Sequence, residues 1–290
     1  MSNQQSARRH HFVPKMLLRP WRVERDGQKL LEGCYWHPYQ RRLSRNRNGL
    51  DAFCNEIDLL TLKTIGSDVL ETKYFGKIDD LGAKARDALL DGGPRQLSPE
   101  QQVDFGRLLL SLESRRPTMV SRLRCEVPDT LAKSLDEDEE IVSACVAAGI
   151  TERPSIVAQK ALGSFDDRAM LMVPTLTDNR GVLARLLNAH WHTMKLEEGD
   201  GTLVLSDRPL IRMRAFDHPG AAWFLPLTPR AAFVAVNHPA NLENVQRTPR
   251  HRVVRYINVA SARQAEKYVF AVDPSHERWL PKYLKPAPFR

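Results

Sequence analysis

The stretch RGVLARLLNAHWHTMKLEEGDGTLVLS, Arg180 to Ser206, is where the chain changes character. Its first part, Arg180 to Asn188, reads as the last of a series of helices. AHWHTMKL (189–196), a turn at Glu198-Gly199-Asp200-Gly201 and TLVLS (202–206) then have strand composition. AAWFLPL, AAFVAVNH and RVVRYINV repeat that composition further on, and Ser261-Ala262-Arg263-Gln264 reads as the cap of a short helix before a Pro-rich tail.

Working back from Arg180, residues 67–189 read as helical. Leu70, Tyr74, Ile78, Leu81, Ala85 and Leu89 recur at steps of three and four until Gly92-Gly93 ends the pattern. Ser98-Pro99-Glu100-Gln101 places a capping residue, a first-turn proline and a capping-box glutamine ahead of VDFGRLLLSLESRR. Pro117 and Pro128 are expected to punctuate shorter helices, and the acids of DEDEEIVSACVAAG suit a helix start, where they meet the positive end of the dipole. In residues 1–66, Asp26-Gly27 between two apolar-containing runs predicts a hairpin, and RLSRNRNGLDAF reads as an Arg/Asn-rich loop. Helices grouped before strands, without βαβ alternation, predict an α+β fold in one domain spanning 1–290. Its parts are a basic N-terminal hairpin region (1–66), a central helical bundle (67–189) and a C-terminal antiparallel β-rich part (190–290).

With 290 residues, 42% of them hydrophobic and 27% charged, the chain is long enough for one sizeable core. No apolar run approaches the roughly 18 residues that cross a bilayer. The opening MSNQQSARRH has no apolar segment behind it, so a soluble, cytoplasmic protein without membrane association is expected. Cys34, Cys54, Cys125 and Cys145 form no CxxC pair, which points to free, mostly buried thiols.

The net charge of +8 is unevenly spread. Residues 1–50 carry 11 Lys/Arg against 3 Asp/Glu, residues 51–245 carry 22 against 29, and residues 246–290 carry 10 against 3. Two basic ends on one face would suit phosphate backbones; the alternative is that each end neutralises the acidic middle.

The start HHFVPKMLLRPW, the helix LSPEQQVDFGRLLLSLESRRP, the strands AHWHTMKL and TLVLSDRPLI, and FLPLTP together resemble the bacterial family called domain of unknown function 4238. Phe12 stands where that family usually has Tyr, and Arg208 where it commonly has Asn. The resemblance implies a set of positions without assigning them chemistry: His10, His11, Val13, Pro14, Glu71, Arg116, Pro117, Trp191, Ser206, Asp207 and Pro209.

The His10-His11 pair before Val13-Pro14 is also similar to the opening of His-Asn-His nuclease motifs, in which one residue binds a divalent metal and the next activates water. Asn46 or Asn48 is the candidate for the Asn that orients the base, and Asn55 for the final ligand. On this reading a divalent metal, Mg or Mn, sits with His10, Asp207 and Glu71. His11 is base or ligand, and Arg116 contacts the scissile phosphate; His10, His11, Arg116 and Asp207 form the catalytic set. Arg8, Arg9, Lys15, Arg19, Arg41, Arg42, Arg45 and Arg47 supply charge for nucleic acid. In the alternative, a non-catalytic binding or interaction protein, one histidine hydrogen-bonds a buried carboxylate, with Asp207 the obvious partner, and the other packs beneath the Pro14 turn; Asp207 by itself reads as a turn former, and Arg116 only favours the helix dipole. A small-molecule enzyme built on the same polar cluster is the third class, distinguished by an enclosed pocket in place of an open basic groove. His190 and His192, flanking Trp191 at strand spacing, read as a half-buried pair. GxxxxGK[ST], GxGxxG and GxSxG are all missing.

Overall fold

In the computed structural model, residues 8–215 and 217–284 are described. Residues 1–7 of the opening, and 285–290 of the Pro-rich tail, lie outside them. The strands are β1 (Arg9–His11), β2 (Arg22–Arg25), β3 (Gln28–His37), β4 (Arg42–Asn48), β5 (Asn55–Ile57), β6 (His190–Lys195), β7 (Leu205–Ser206), β8 (Ile211–Arg212), β9 (Ala222–Thr228), β10 (Ala231–Val236) and β11 (Val269–Phe270). Helices fill the space between β5 and β6, so the fold is α+β.

The strands form three antiparallel groups: β1 with β5; β6-β10-β9-β8; and β2-β3-β11-β7 with β4 also on β3. Asp26 (φ 50°) and Gly27 (φ 73°) make the tight β2–β3 turn that the sequence predicts, with Arg25 opposite Gln28. The RLSRNRN segment is not a loop. It is β4, paired along β3 from Leu31↔Asn48 to His37↔Arg42. Its charges read as loop because β4 has one strand beside it, and a charged edge strand resists pairing with other chains.

Alternation in β9 and β10 divides the core. Trp223, Leu225, Phe233 and Ala235 face the helices, whereas Ala222, Phe224, Val234 and Val236 face the other way. A sheet buried on both sides needs an apolar layer over each face. On the helical side, the capping box forms as predicted, with Ser98 and Gln101 exchanging hydrogen bonds at 3.0 and 3.3 Å. The Pro99–Ser114 helix brings Phe105 edge-on to Phe233, with centroids 4.9 Å apart. The opposite side is covered by Arg250–Gln264, which is a helix where RVVRYINV predicts a strand. Its buried residues Val253, Val254, Ile257 and Ser261 recur at steps near 3.6, so the β-branched composition yields to the periodic burial. Ser261 to Gln264 are the end of that helix and do not begin another.

Pro128 does not divide the region after Pro117, because Pro117–Glu137 is one 21-residue helix. Its outer position leaves only Val120 buried, and Arg124 ties it to Asp166 and to the Thr61 carbonyl. Asp138 caps the next helix, Glu139–Ala147, as the acidic run predicts. The largest buried cluster draws on all three sequence regions, from Val13 through Leu109 to Phe270. Cys34 and Cys54 are buried, Cys125 is exposed and Cys145 is intermediate. No helix among the described residues is long and apolar enough to cross a membrane.

Candidate functional site

The HHFVP segment begins in β1, whose register sets His10 opposite Glu56 and His11 opposite Asn55. His10 is 1% exposed. Its Nδ1 accepts the Leu60 N–H at 3.0 Å and its Nε2 lies 3.4 Å from Asp68 Oδ1. Burial lowers the His10 pKa, against the opposing pull of Asp68. Asp68 is held in turn by Thr61 Oγ1 at 2.6 Å and by an ion pair with Arg8. This chain of partners pins the segment after β5 beneath the histidine.

His11 is partly buried, with Nε2 3.7 Å from Asp51 Oδ1, and Lys15 pairs with the same Asp51 oxygen. Burial, then Lys15, lowers its pKa. Asn55 donates its amide to the Asp51 and Phe53 carbonyls at 3.0 and 3.1 Å, so it holds a turn. Asn46 and Asn48 lie on β4.

Glu71 sits in a π-helical turn, Leu70–Phe75, that leads into the Gly76–Gly92 helix. Its carboxylate accepts the His11 backbone N–H, and burial raises its pKa. Nearby Arg115 is wholly buried, grips Asp79 through two nitrogens at 2.6 and 3.0 Å, and covers the Phe75 ring at 5.1 Å. The periodicity of the preceding helix gives no warning that Arg115 is buried here against a partly exposed Asp79.

Asp207 belongs elsewhere. Its carboxylate accepts the backbone N–H groups of Glu266, Lys267 and Tyr268 at 2.9, 2.7 and 2.9 Å. Burial outweighs those three donors and leaves the carboxyl at about 6. The expected metal set of His10, Glu71 and Asp207 does not fit a cation: Asp207 is committed to the 266–268 backbone and His10 Nδ1 to Leu60. Among the described residues no group of three or more His, Cys, Asp or Glu side chains is placed to hold a metal ion. His190 is exposed and His192 half-buried, its pKa lowered by burial and by Arg250.

Arg116, expected at a scissile phosphate, lies with Glu113 and Glu266, its Nη1 4.0 and 3.9 Å from their carboxylates. It shares Glu266 with Asp207, and Glu266 also acts electrostatically on Glu56, the residue opposite His10.

The predicted basic residues are divided. Arg8, Arg9 and Lys15 are engaged around the β1 motif by Asp68, the Asp51 carbonyl and the Asp51 carboxylate. Arg19 is exposed on a separate turn. Arg41, Arg42, Arg45 and Arg47 gather on the β3–β4 hairpin, beside an open groove of about 810 Å³ lined by Tyr35, His37, Gln40, Arg42, Arg45 and Arg47. Arg45 and Arg47 share Glu32, and Arg45 also reaches Glu277 at 2.5 Å. Glu277 comes from the C-terminal basic region, so the two ends meet here and partly neutralise each other. Arg42 donates to the neutral Gln40 Oε1 at 2.9 Å and has no carboxylate partner among the described residues.

Strand alternation adds a feature that charge counting misses. Tyr35 and His37 face one side of β3, with ring centroids 6.3 Å apart, and the His37–Tyr39 distance is 6.2 Å. Tyr39, at the hairpin tip, is 93% exposed. Ser44 and Arg42 lie directly across from Tyr35 and His37. The pattern YWHPY already spaces these rings two apart, but it signals a common face only once residues 28–37 are known to be a strand.

Comparison with known proteins finds one family model, described as a protein of unknown function (DUF4238), that matches residues 9–275. No curated protein and no solved structure matches the chain.

Proposed function

We propose that this chain, which belongs to the DUF4238 family, is a cytoplasmic nucleic-acid-binding protein that grips unpaired bases and backbone phosphates along the β3–β4 groove. The observation that carries the reading is the row of Tyr35, His37 and Tyr39 rings beside the open Arg-lined groove. Bases stack on aromatic faces whatever their sequence, and arginines neutralise the phosphates between them. Exposed Tyr39 supplies a stacking surface, and Arg42, with no carboxylate partner among the described residues, supplies the charge. An open groove favours a polymer over an enclosed small substrate. The reading is one of binding without metal-assisted hydrolysis, because His10 and Asp207 are engaged in holding the backbone and His11 lies against the Lys15–Asp51 pair.

Fluorescence anisotropy with a labelled 20-nucleotide single strand, DNA or RNA, tests it between 50 and 200 mM salt. The parent binds the single strand more tightly than the corresponding duplex, and affinity falls steeply with salt. Tyr39→Ala weakens binding by about 1–3 kcal/mol with little change in salt slope. Arg42→Ala lowers the slope by about 1. No salt-dependent binding, or two variants that bind as the parent does, refutes the proposal.

A further inference from the structure

Glu113, in the last turn of the Pro99–Ser114 helix, faces three guanidinium groups. Arg212 Nη2, from β8, is 2.7 Å from Glu113 Oε2; Arg208 Nη2, just after β7, is at 3.7 Å; Arg116 Nη1, at the start of the Pro117–Glu137 helix, is at 4.0 Å. Glu266 is the second acid present, 3.9 Å from Arg116 and also accepting a hydrogen bond from Thr118 Oγ1 at 3.2 Å. Three cations thus meet two carboxylates.

The donors are not used up. Among the described residues, Arg116 Nε and Nη1 and Arg208 Nε are buried without a hydrogen-bond partner, as is the acceptor Glu113 Oε1. A buried N–H left unpaired costs free energy that an added oxyanion would recover. The Pro117–Glu137 helix starts at this cluster with no side-chain cap on its N-terminus, which adds positive potential. Beside Glu113 and Arg212 lies a cleft of about 300 Å³, walled mainly by Leu110, Met119, Val182 and Trp223, with Arg185 and Asp217 as its other charged residues. The cleft offers an apolar surface next to the charged one.

We propose that this cluster is a binding site for a small organic phosphate, its phosphoryl group held by Arg116, Arg208 and Arg212 and its apolar body in the cleft. Three guanidiniums approaching from three chain segments match the three terminal oxygens of a phosphomonoester better than the two of a carboxylate. Asp207 contributes by position: by fixing the 266–268 backbone it places Glu266 beside Arg116, while the next residue, Arg208, supplies a donor. The site is separate from the β3–β4 groove and stands without the nucleic-acid reading.

Calorimetric titration of the full chain with inorganic phosphate, phenyl phosphate and benzoate, at matched ionic strength, tests the proposal. Saturable one-to-one binding is expected for both phosphates, with phenyl phosphate at least tenfold tighter than inorganic phosphate and benzoate weaker than either. Arg208→Ala, which keeps Glu113 paired to Arg212, weakens phenyl phosphate at least tenfold while thermal unfolding remains cooperative. Arg116→Lys, which retains charge without the planar fork, also weakens it, and Tyr39→Ala in the groove does not. Absence of saturable phosphate binding, benzoate binding as tightly as phenyl phosphate, or a folded Arg208→Ala variant with parental affinity overturns the assignment.

Discussion

The Leu60 N–H donates to His10 Nδ1 at 3.0 Å, joining residues fifty positions apart in a buried site. The bond requires Nδ1 to be unprotonated. It makes the first histidine of HHFVP a fixed acceptor beneath the segment that follows β5.

Acid sensitivity follows from this contact. Burial lowers the folded-state His10 pKa below its ordinary 6.5, so below pH 6.5 the unfolded chain takes up a proton that the folded chain resists. Stability therefore falls as pH drops through and below 6.5, by at most about 1.4 kcal/mol per pH unit from this residue. Urea unfolding at pH 7.5, 6.0 and 5.0 measures the slope. His10→Gln, whose amide carbonyl can accept from Leu60 but does not titrate, gives a shallower dependence, while His11 and His276, also lowered by burial, keep part of it. Equal slopes in parent and variant would contradict the argument.

Asp207 has the opposite sign. Its folded-state carboxyl, at about 6, lies above the unfolded value near 3.8, so the folded chain keeps a proton that the unfolded chain releases, and this residue adds stability as pH falls from about 6 toward 4. Asp207→Ala leaves three backbone N–H groups without their acceptor and costs about 3 kcal/mol or more. Denaturant unfolding at pH 7 checks the loss. A variant as stable as the parent would show that water replaces the carboxylate.

The Arg115–Asp79 pair predicts non-additive losses. Asp79→Ala leaves a fully buried guanidinium with no carboxylate and costs about 3–5 kcal/mol. Adding Arg115→Met removes that charge while filling much of its volume, so the double variant is more stable than Asp79→Ala alone. A double-mutant cycle from urea unfolding reads the coupling, and additive single losses would remove it.

Metal removal is expected to leave the protein unchanged. EDTA shifts neither the thermal midpoint nor oligonucleotide affinity, and plasmid, single-stranded DNA and structured RNA stay intact in Mg²⁺ or Mn²⁺. EDTA-sensitive cleavage that disappears in a folded His11→Ala variant would restore the nuclease assignment.

Local patterns carried much of the fold. The capping box at Ser98, the Asp26-Gly27 turn and the change of period after Asn188 were legible because each depends on residues within a few positions of one another. β4 and the Arg250–Gln264 helix escape a local reading for the converse reason. An Arg/Asn-rich strand is set by its partner β3, and Val253-Val254 become helical by covering the far face of β9 and β10.

The candidate sites divided along the same line. Residue type and spacing singled out the polar candidates: the HHFVP histidines, Arg116, Asp207 and the hairpin arginines. Tertiary structure alone decided their company, placing His10 with Leu60 and Asp68, Asp207 with the 266–268 backbone, and Arg116 with Glu113, Arg208 and Arg212. The physical reason is that secondary structure follows from short-range sterics and hydrogen bonding, whereas a side chain's charge state and partners depend on burial and on contacts between distant segments. Glu113 and Arg212, 99 positions apart, meet only when the sheet packs on the helices.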